Sequence, residues 1–280
     1  MSETATLATE TARTYYNSED ADQFYASIWG GEDIHIGLYR DEKEAIAKAS
    51  HRTVERMASY IKATASEPRI LDVGSGYGGA ARYLAKTFGA KVVALNLSDV
   101  ENERARKLNS EQGLAKQIAV IDGSFEDIPF EADAFDVVWS QDAILHSGNR
   151  EQVITEVARV LRPNGQFIFT DPMQTDDCPA GVLKPILDRI HLQSLASPAF
   201  YREACKKHGL KEEGFEELSS ELVNHYSRVL SETESRSAAL QAKVSPAYIE
   251  RMKQGLKHWI DGGKKGYLTW GIFRFIRQAS

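Results

Sequence analysis

The stretch Leu71-Asp72-Val73-Gly74-Ser75-Gly76-Tyr77-Gly78-Gly79 constrains this 280-residue chain more than any other feature. An apolar run, Ile70 to Val73, leads into it, and Ala81, Leu84, Ala85 and Phe88 follow at helical spacing. That pattern reads strand, glycine turn, helix. Glycines lack the Cβ that would hold a ligand off, and the turn presents backbone N–H groups and a helix N-terminus to whatever binds there.

Two ligand classes compete for such a turn. Gly74, Gly76 and Gly79 fit the dinucleotide spacing G-x-G-x-x-G, while Gly74, Gly76 and Gly78 fit G-x-G-x-G. The neighbours favour the second. Asp72 stands at the strand end, two residues before the first glycine, where a carboxylate meets a cationic ligand and repels a pyrophosphate. The next strand ends in Asn96, twenty residues after Gly76. A nicotinamide enzyme places an acid there, or a basic residue nearby for a 2′-phosphate. An Asn amide still bonds a ribose hydroxyl. The local reading is a nucleoside with positive charge and no phosphate, which describes S-adenosylmethionine.

From the glycine turn onward strands and helices alternate. Strands are expected at Arg69–Val73, Lys91–Asn96, Gln117–Ile121, Phe135–Ser140 and Gln166–Thr170, with helices near 79–88, 99–112 and 150–161. Arg162-Pro163-Asn164-Gly165 reads as a turn. Such alternation implies right-handed βαβ units, a parallel sheet, and a ligand outside the carboxyl ends of its strands. Ahead of the turn, Ala45 to Ile61 is the clearest helix of a helical N-terminal region. Beyond Thr170 the rhythm changes. Residues 171–212 read as mainly helical despite Pro172, Pro179, Pro185 and Pro198, and a short strand falls near Gly214–Leu218. Two helices fill 219–262, the second opened by Ser245 as N-cap and Pro246 at the first helical position. Tyr267 to Ile276 alternates as a strand. The expected organisation is a mobile tail (1–14), an N-terminal helical lid (15–65), a nucleoside-binding core (66–171), a mainly helical substrate lid with one core strand near 214–218 (172–262), and a C-terminal core strand (263–280).

Composition narrows the partners. Net charge is −6, without a basic cluster that would track a phosphate backbone, so nucleic acid is not expected. No run of about 18 apolar residues predicts a membrane span. Residues 1–13 lack the basic and apolar regions of a signal peptide. Cys178 and Cys205 follow no metal spacing and fit a reducing, cytoplasmic setting. No metal cluster is expected. Oligomeric state stays open.

The chain resembles the class I S-adenosylmethionine-dependent methyltransferases. The carriers are LDVGSGYGG (71–79), Asn96, GSFEDIPF (123–130), FDVV (135–138) and RVLRPNGQFIFTD (159–171). The resemblance implies a Rossmann-like α/β sheet, mostly parallel with an antiparallel C-terminal strand. A closer similarity runs through YYNSEDADQFYASIWGGEDIHIGLY (15–39), WSQDAILHS (139–147), FTDPMQTDDCPAGVLKPILDRIHL (169–192), YIERMKQGLKHW (248–259) and GGKKGYLTWGIF (262–273). These segments look like the sarcosine/dimethylglycine N-methyltransferases, which finish the osmolyte glycine betaine. QDAILH is also similar to the phosphoethanolamine methyltransferases, which hold a catalytic His and a substrate-contacting Asp there. This chain has Gln141 where those enzymes carry Arg.

Site expectations follow from the residues and the resemblance together. Asp72, Gly74 and Gly76 should hold the methionine and ribose parts of the donor. Asn96 and Leu97 should meet ribose and adenine, Gln141 should lie beside the methionine, and Ser124 and Phe125 occupy the adenine-contact position of the resemblance. His35, Ile36 and Gly37 resemble a lid over the donor. Asp142 and His146, four apart, would share one helical face. His146 would serve as base or orienting group for the amine proton, and Asp142 as a contact to cationic nitrogen. Tyr16 is similarly placed to a Tyr that partners this His in the phosphoethanolamine enzymes. Arg189 is expected at the substrate anion, with His191 beside it, because both align with anion-binding positions of those relatives. Tyr201, His225 and Tyr226 would close the pocket, and Trp29 and Trp139 are candidates to face a cation. Other readings are a methyltransferase of another small amine, a non-catalytic donor-binding protein and a nicotinamide dehydrogenase.

Overall fold

The computed structural model describes residues 13, 17–62, 66–190 and 192–279. Seven strands form one sheet: β1 (Arg69–Val73), β2 (Lys91–Asn96), β3 (Ile118–Asp122), β4 (Phe135–Gln141), β5 (Leu161–Thr170), β7 (Leu210–Glu217) and β9 (Gly271–Arg277). Two short strands, β6 (Met173–Gln174) and β8 (Leu268–Thr269), pair apart from it. In the large sheet the order is β3-β2-β1-β4-β5-β9-β7. Neighbours from β3 to β5 run parallel, and β9 is antiparallel to both β5 and β7. The mostly parallel sheet with an antiparallel C-terminal strand is therefore as expected.

Central strands read as almost unbroken apolar runs because both faces are covered. Alternation sends Ile70, Val92, Val137 and Ile168 to one face and Leu71, Val93, Val138 and Phe167 to the other. Helices α2 (Ile46–Ala58) and α3 (Gly79–Phe88) cover the first face through Val54, Met57, Ala81 and Leu84. On the second lie α5 (Arg150–Val160) and α7 (Pro198–Lys207). Between β2 and β3, α4 (Asp99–Glu111) starts under Ser98, whose hydroxyl accepts from the Glu101 N–H.

Three expectations are corrected. Residues 171–212 are mostly loop, with helix only at α6 (Lys184–Arg189) and α7 before β7 begins at Leu210. Prolines decide this. Pro185 and Pro198 sit in the first turns of those helices, where a missing N–H costs nothing, and Pro172 and Pro179 interrupt the rest. Second, α7, within the stretch expected as lid, packs on the sheet's second face, beside β7, which overlaps the expected core strand near 214–218. Third, the 162–165 turn, expected ahead of the strand Gln166–Thr170, lies within that strand, because β5 already begins at Leu161. Leu161 faces Phe135 and Gln166 faces Val137, so four residues loop out with Asn164 at φ 64°.

A helical cap stands over the carboxyl ends of the strands. It joins α1 (Glu19–Trp29), α8 (Ser219–Ser235), the single turn α9 (Ser237–Leu240) and α10 (Pro246–Lys264). Phe24, Ile28, Val229, Tyr248, Met252 and Leu256 form their shared core. Ser245 caps α10 by accepting from the Tyr248 N–H, with Pro246 at the position anticipated. Among the described residues no helix is long and apolar enough to cross a membrane.

Candidate active site

Two cavities open side by side at the carboxyl ends of β1, β2 and β4. The first lies over the glycine turn, and the second lies under the helical cap. They share Ile34, His35, Asp142 and His146. Anything passing from one to the other passes these four residues.

The first cavity gathers nearly every expected donor contact: Asp72, Gly74, Gly76, Asn96, Leu97, Ser124, Phe125, Gln141 and His35. Gly74 and Gly76 take φ of 73° and 51°, which glycine adopts freely. Asp72 is buried, and one of its carboxylate oxygens, Oδ2, has no protein partner; neither has the Ser75 hydroxyl. Burial, reinforced by Asp33 and opposed by Arg82, raises the Asp72 carboxyl to about 7. Unpaired buried polar atoms around a glycine turn are what a polar, cationic ligand would complete. Opposite them, the Asn96 amide donates to Glu101 Oε2 at 2.9 Å. Glu101 lines the same cavity, its carboxyl raised to about 7, chiefly by burial. The acid missing at the end of β2 is thus supplied from α4, one turn past its cap. Sequence spacing could not show this, and it removes one sequence argument against a nicotinamide nucleotide. Glu126 anchors the rim beside Phe125. Its Oε1 accepts from the Ser147 hydroxyl at 2.6 Å and the Gly148 N–H at 3.0 Å. Arg13, assigned on sequence to a mobile tail, also lines this cavity.

The shared wall is built by a relay of hydrogen bonds. Trp139 Nε1 donates to Gln141 Oε1 at 3.0 Å, which turns the Gln141 amide nitrogen to His35 Nε2 at 3.1 Å. His35 Nε2 then accepts, and its Nδ1–H donates to the Ile36 carbonyl at 3.1 Å. Gln141 therefore does structural work at the position where the phosphoethanolamine enzymes carry Arg. Asp142 departs from the expected helix: it takes φ 51°, and the following turn, Ile144–His146, is a 3₁₀ helix. Asp142 and His146 both reach the shared wall because a strand end bends between the cavities, not because they share an α-helical face. Asp142 accepts from the Ile36 N–H at 2.8 Å and from Trp270 Nε1 at 2.7 Å. Burial raises its carboxyl, against the pull of these donors. His146 is held down to about 4 by burial, then by Arg150 and Arg189, so its imidazole is neutral.

The second cavity is aromatic with few polar groups. Tyr25, Trp29, Tyr226 and Trp259 line it with Arg189, His225 and the shared wall. Tyr226 and Trp259 lie 5.2 Å apart, and Trp29 and His225 5.4 Å. Of the residues named from the sequence for the substrate pocket, Arg189, His225, Tyr226 and Trp29 line this chamber. Tyr25 and Trp259 were missed because, at helical spacing in apolar segments, they read as ordinary core.

Other expectations fail for physical reasons. Tyr201 is buried in the sheet's second face, its hydroxyl donating to Asp171 at 2.6 Å and its ring against Phe169, and it lines neither cavity. Trp139 is core. Ile36 lines only the second cavity and Gly37 neither. Gly37 is a packing residue, since a Cβ there would stand 2.7 Å from the Ala49 carbonyl carbon in α2. Tyr16 and His191 lie outside the described residues.

The Methyltransferase domain family matches residues 71–169. A sarcosine/dimethylglycine N-methyltransferase of Halorhodospira halochloris is 59% identical, over 96% of each chain. Another, from Aphanothece halophytica, is 55% identical over 94% of this chain and 95% of its own. Among solved structures, a Galdieria sulphuraria protein assigned as a sarcosine dimethylglycine methyltransferase superposes with a TM-score of 0.90 at 43% identity, covering 95% of this chain and 100% of its own.

Proposed function

We propose that this chain, which belongs to the sarcosine/dimethylglycine N-methyltransferase family, methylates the nitrogen of sarcosine and then of dimethylglycine with S-adenosylmethionine, ending at glycine betaine. The observation that carries this reading is the wall common to the two cavities. A donor over the glycine turn and an amine under the aromatic cap would meet only there.

S-adenosylmethionine, when bound, supplies an electrophilic methyl group on a sulfonium. Asp72, Ser75 and Glu101 fit it, since each offers a buried polar group toward the first cavity. In the second, Arg189 would take the substrate carboxylate. Tyr25, Trp29, Tyr226 and Trp259 exclude water and offer ring faces to the quaternary nitrogen of the product. His146 would receive or orient the amine proton at the wall, and Asp142 would stabilise positive charge at the nitrogen. Much of the rate enhancement would come from holding the acceptor in line while water is kept out. Phosphoethanolamine is a poorer match. Among the described residues Arg189 is the one arginine or lysine lining the chamber, which suits a single negative charge better than a phosphate dianion.

Transfer of a labelled methyl group onto sarcosine, dimethylglycine, glycine and phosphoethanolamine tests the reading. Sarcosine and dimethylglycine should be methylated. Tight binding of S-adenosylmethionine with transfer to none of the four would support a non-catalytic binding protein instead.

A further inference from the structure

His225, on α8, is fully buried and lines the second cavity. Its two ring nitrogens are in different situations. Nδ1 faces the 37–39 segment, where the Gly37 backbone N–H lies at 3.2 Å and the Tyr39 hydroxyl at 2.9 Å. A backbone N–H can only donate, so Nδ1 must be the accepting nitrogen. A neutral imidazole that accepts at one nitrogen carries its proton on the other. Burial holds the ring down to about 3, in keeping with that neutral form. The proton therefore sits on Nε2, and Nε2 is buried without a protein partner. Neither Gly37 nor Tyr39 lines the cavity, so Nδ1 faces away from it and Nε2–H is the polar group this ring offers to a ligand.

We infer that His225 is a substrate-binding residue, its Nε2–H donating to the substrate carboxylate beside Arg189 in the second cavity. The inference rests on the proposed function. Three observations favour the carboxylate over the amine as the acceptor. Arg189 and His225 both line the second cavity and are absent from the first, so the donors for an anion gather on the side away from the glycine turn. Asp142 and His146 stand at the shared wall, where the nucleophilic nitrogen has to be. And an N–H donating into the nitrogen lone pair would block its attack, whereas a carboxylate oxygen has lone pairs to spare. Arg189 itself donates to the Met252 sulfur at 2.8 Å, a weak acceptor that a carboxylate would outcompete. Substrate orientation follows: carboxylate toward His225 and Arg189, nitrogen toward the wall.

Segment 35–39 also acquires a second task. His35 borders the donor cavity, while Gly37 and Tyr39 fix the tautomer of His225. One stretch of chain thus covers the donor and sets the group that reads the acceptor.

The test uses the full chain and compares wild type with His225→Phe and His225→Gln, whose side-chain amide restores a donor near the Nε2 position. Substrates are dimethylglycine and its neutral isostere N,N-dimethylglycinamide. Losing a hydrogen bond to a charged group should raise the KM for dimethylglycine about 10- to 100-fold in His225→Phe. The dissociation constant for S-adenosylmethionine should stay within about threefold, since His225 does not border that cavity. Preference for acid over amide should fall in His225→Phe and recover in His225→Gln. An unchanged KM in a variant that melts like wild type overturns the inference, as does an equal loss on acid and amide, which would mark His225 as shaping the chamber only. Equilibrium binding of dimethylglycine with S-adenosylhomocysteine present reads the same contrast without turnover. If wild type binds but does not methylate while His225→Phe still weakens binding, the proposed function fails and the inference stands.

Discussion

Ile36 donates its backbone N–H to Asp142 at 2.8 Å, joining the segment between α1 and α2 to the end of β4. Asp142 also receives the Trp270 indole, so one carboxylate fixes three separate stretches of chain at the wall between the cavities.

Asp142→Ala removes both acceptors and leaves two donors unpaired. Hydrogen bonds to a charged group are worth about 1.5–3 kcal/mol each, so thermal unfolding should show a loss on the order of 3 kcal/mol. Loosening the wall by about 1 Å should lower kcat/KM by on the order of 100-fold. A variant with normal stability and turnover would remove Asp142 from both roles.

Donor affinity should depend on pH through Asp72. In the free protein its carboxyl titrates at about 7, and a cationic ligand favours the ionised form. Binding of S-adenosylmethionine should therefore tighten as pH rises through about 7, by at most about tenfold per unit on the acid side. The linked effect on folding has the opposite sign. Because the folded pKa is raised, Asp72's contribution to stability is complete below its unfolded value and is lost as pH climbs through about 7. Asp72→Asn should make the profile shallower, leaving the part that Glu101, raised to about 7 in the same cavity, contributes. A flat wild-type profile by calorimetry would place the cationic group elsewhere.

Gly255 gives a sharper test of Arg189 than deleting the arginine. A Cβ at Gly255, in the middle of α10, would collide with the Arg189 side chain. Alanine is the better helix former by about 1 kcal/mol, so Gly255→Ala should fold at least as well as wild type while displacing the guanidinium. KM for dimethylglycine should rise, as it should more steeply in Arg189→Ala, with S-adenosylmethionine affinity unchanged in both. Normal substrate KM in both variants would move the carboxylate site.

His146→Ala should lower kcat about 100-fold, the lower end of general acid–base effects, with little change in donor affinity. In the unliganded protein burial, then Arg150 and Arg189, hold the His146 imidazole down to about 4. Dimethylglycine neutralising Arg189 should raise that value, visible as a shift in the His146 titration by NMR. Equal turnover in the alanine variant would leave His146 a structural group.

What the sequence determined on its own was whatever repeats over a few residues. Short apolar runs alternating with helical patterns located the core strands, the 71–79 glycines located the donor turn, and Ser245-Pro246 located the start of α10, because residue periodicity, left-handed turns and caps are local properties of the backbone. Similarity of motifs added the family. Only the tertiary structure decided which side chains face one another. Glu101 completes Asn96, Tyr201 sinks into the sheet's second face where a lid had been expected, and Trp139 orients Gln141 within the wall. His225 is turned into a donor by residues almost 190 positions away. Burial and hydrogen-bond partners set these roles, and both come from segments distant in the chain that the fold brings together.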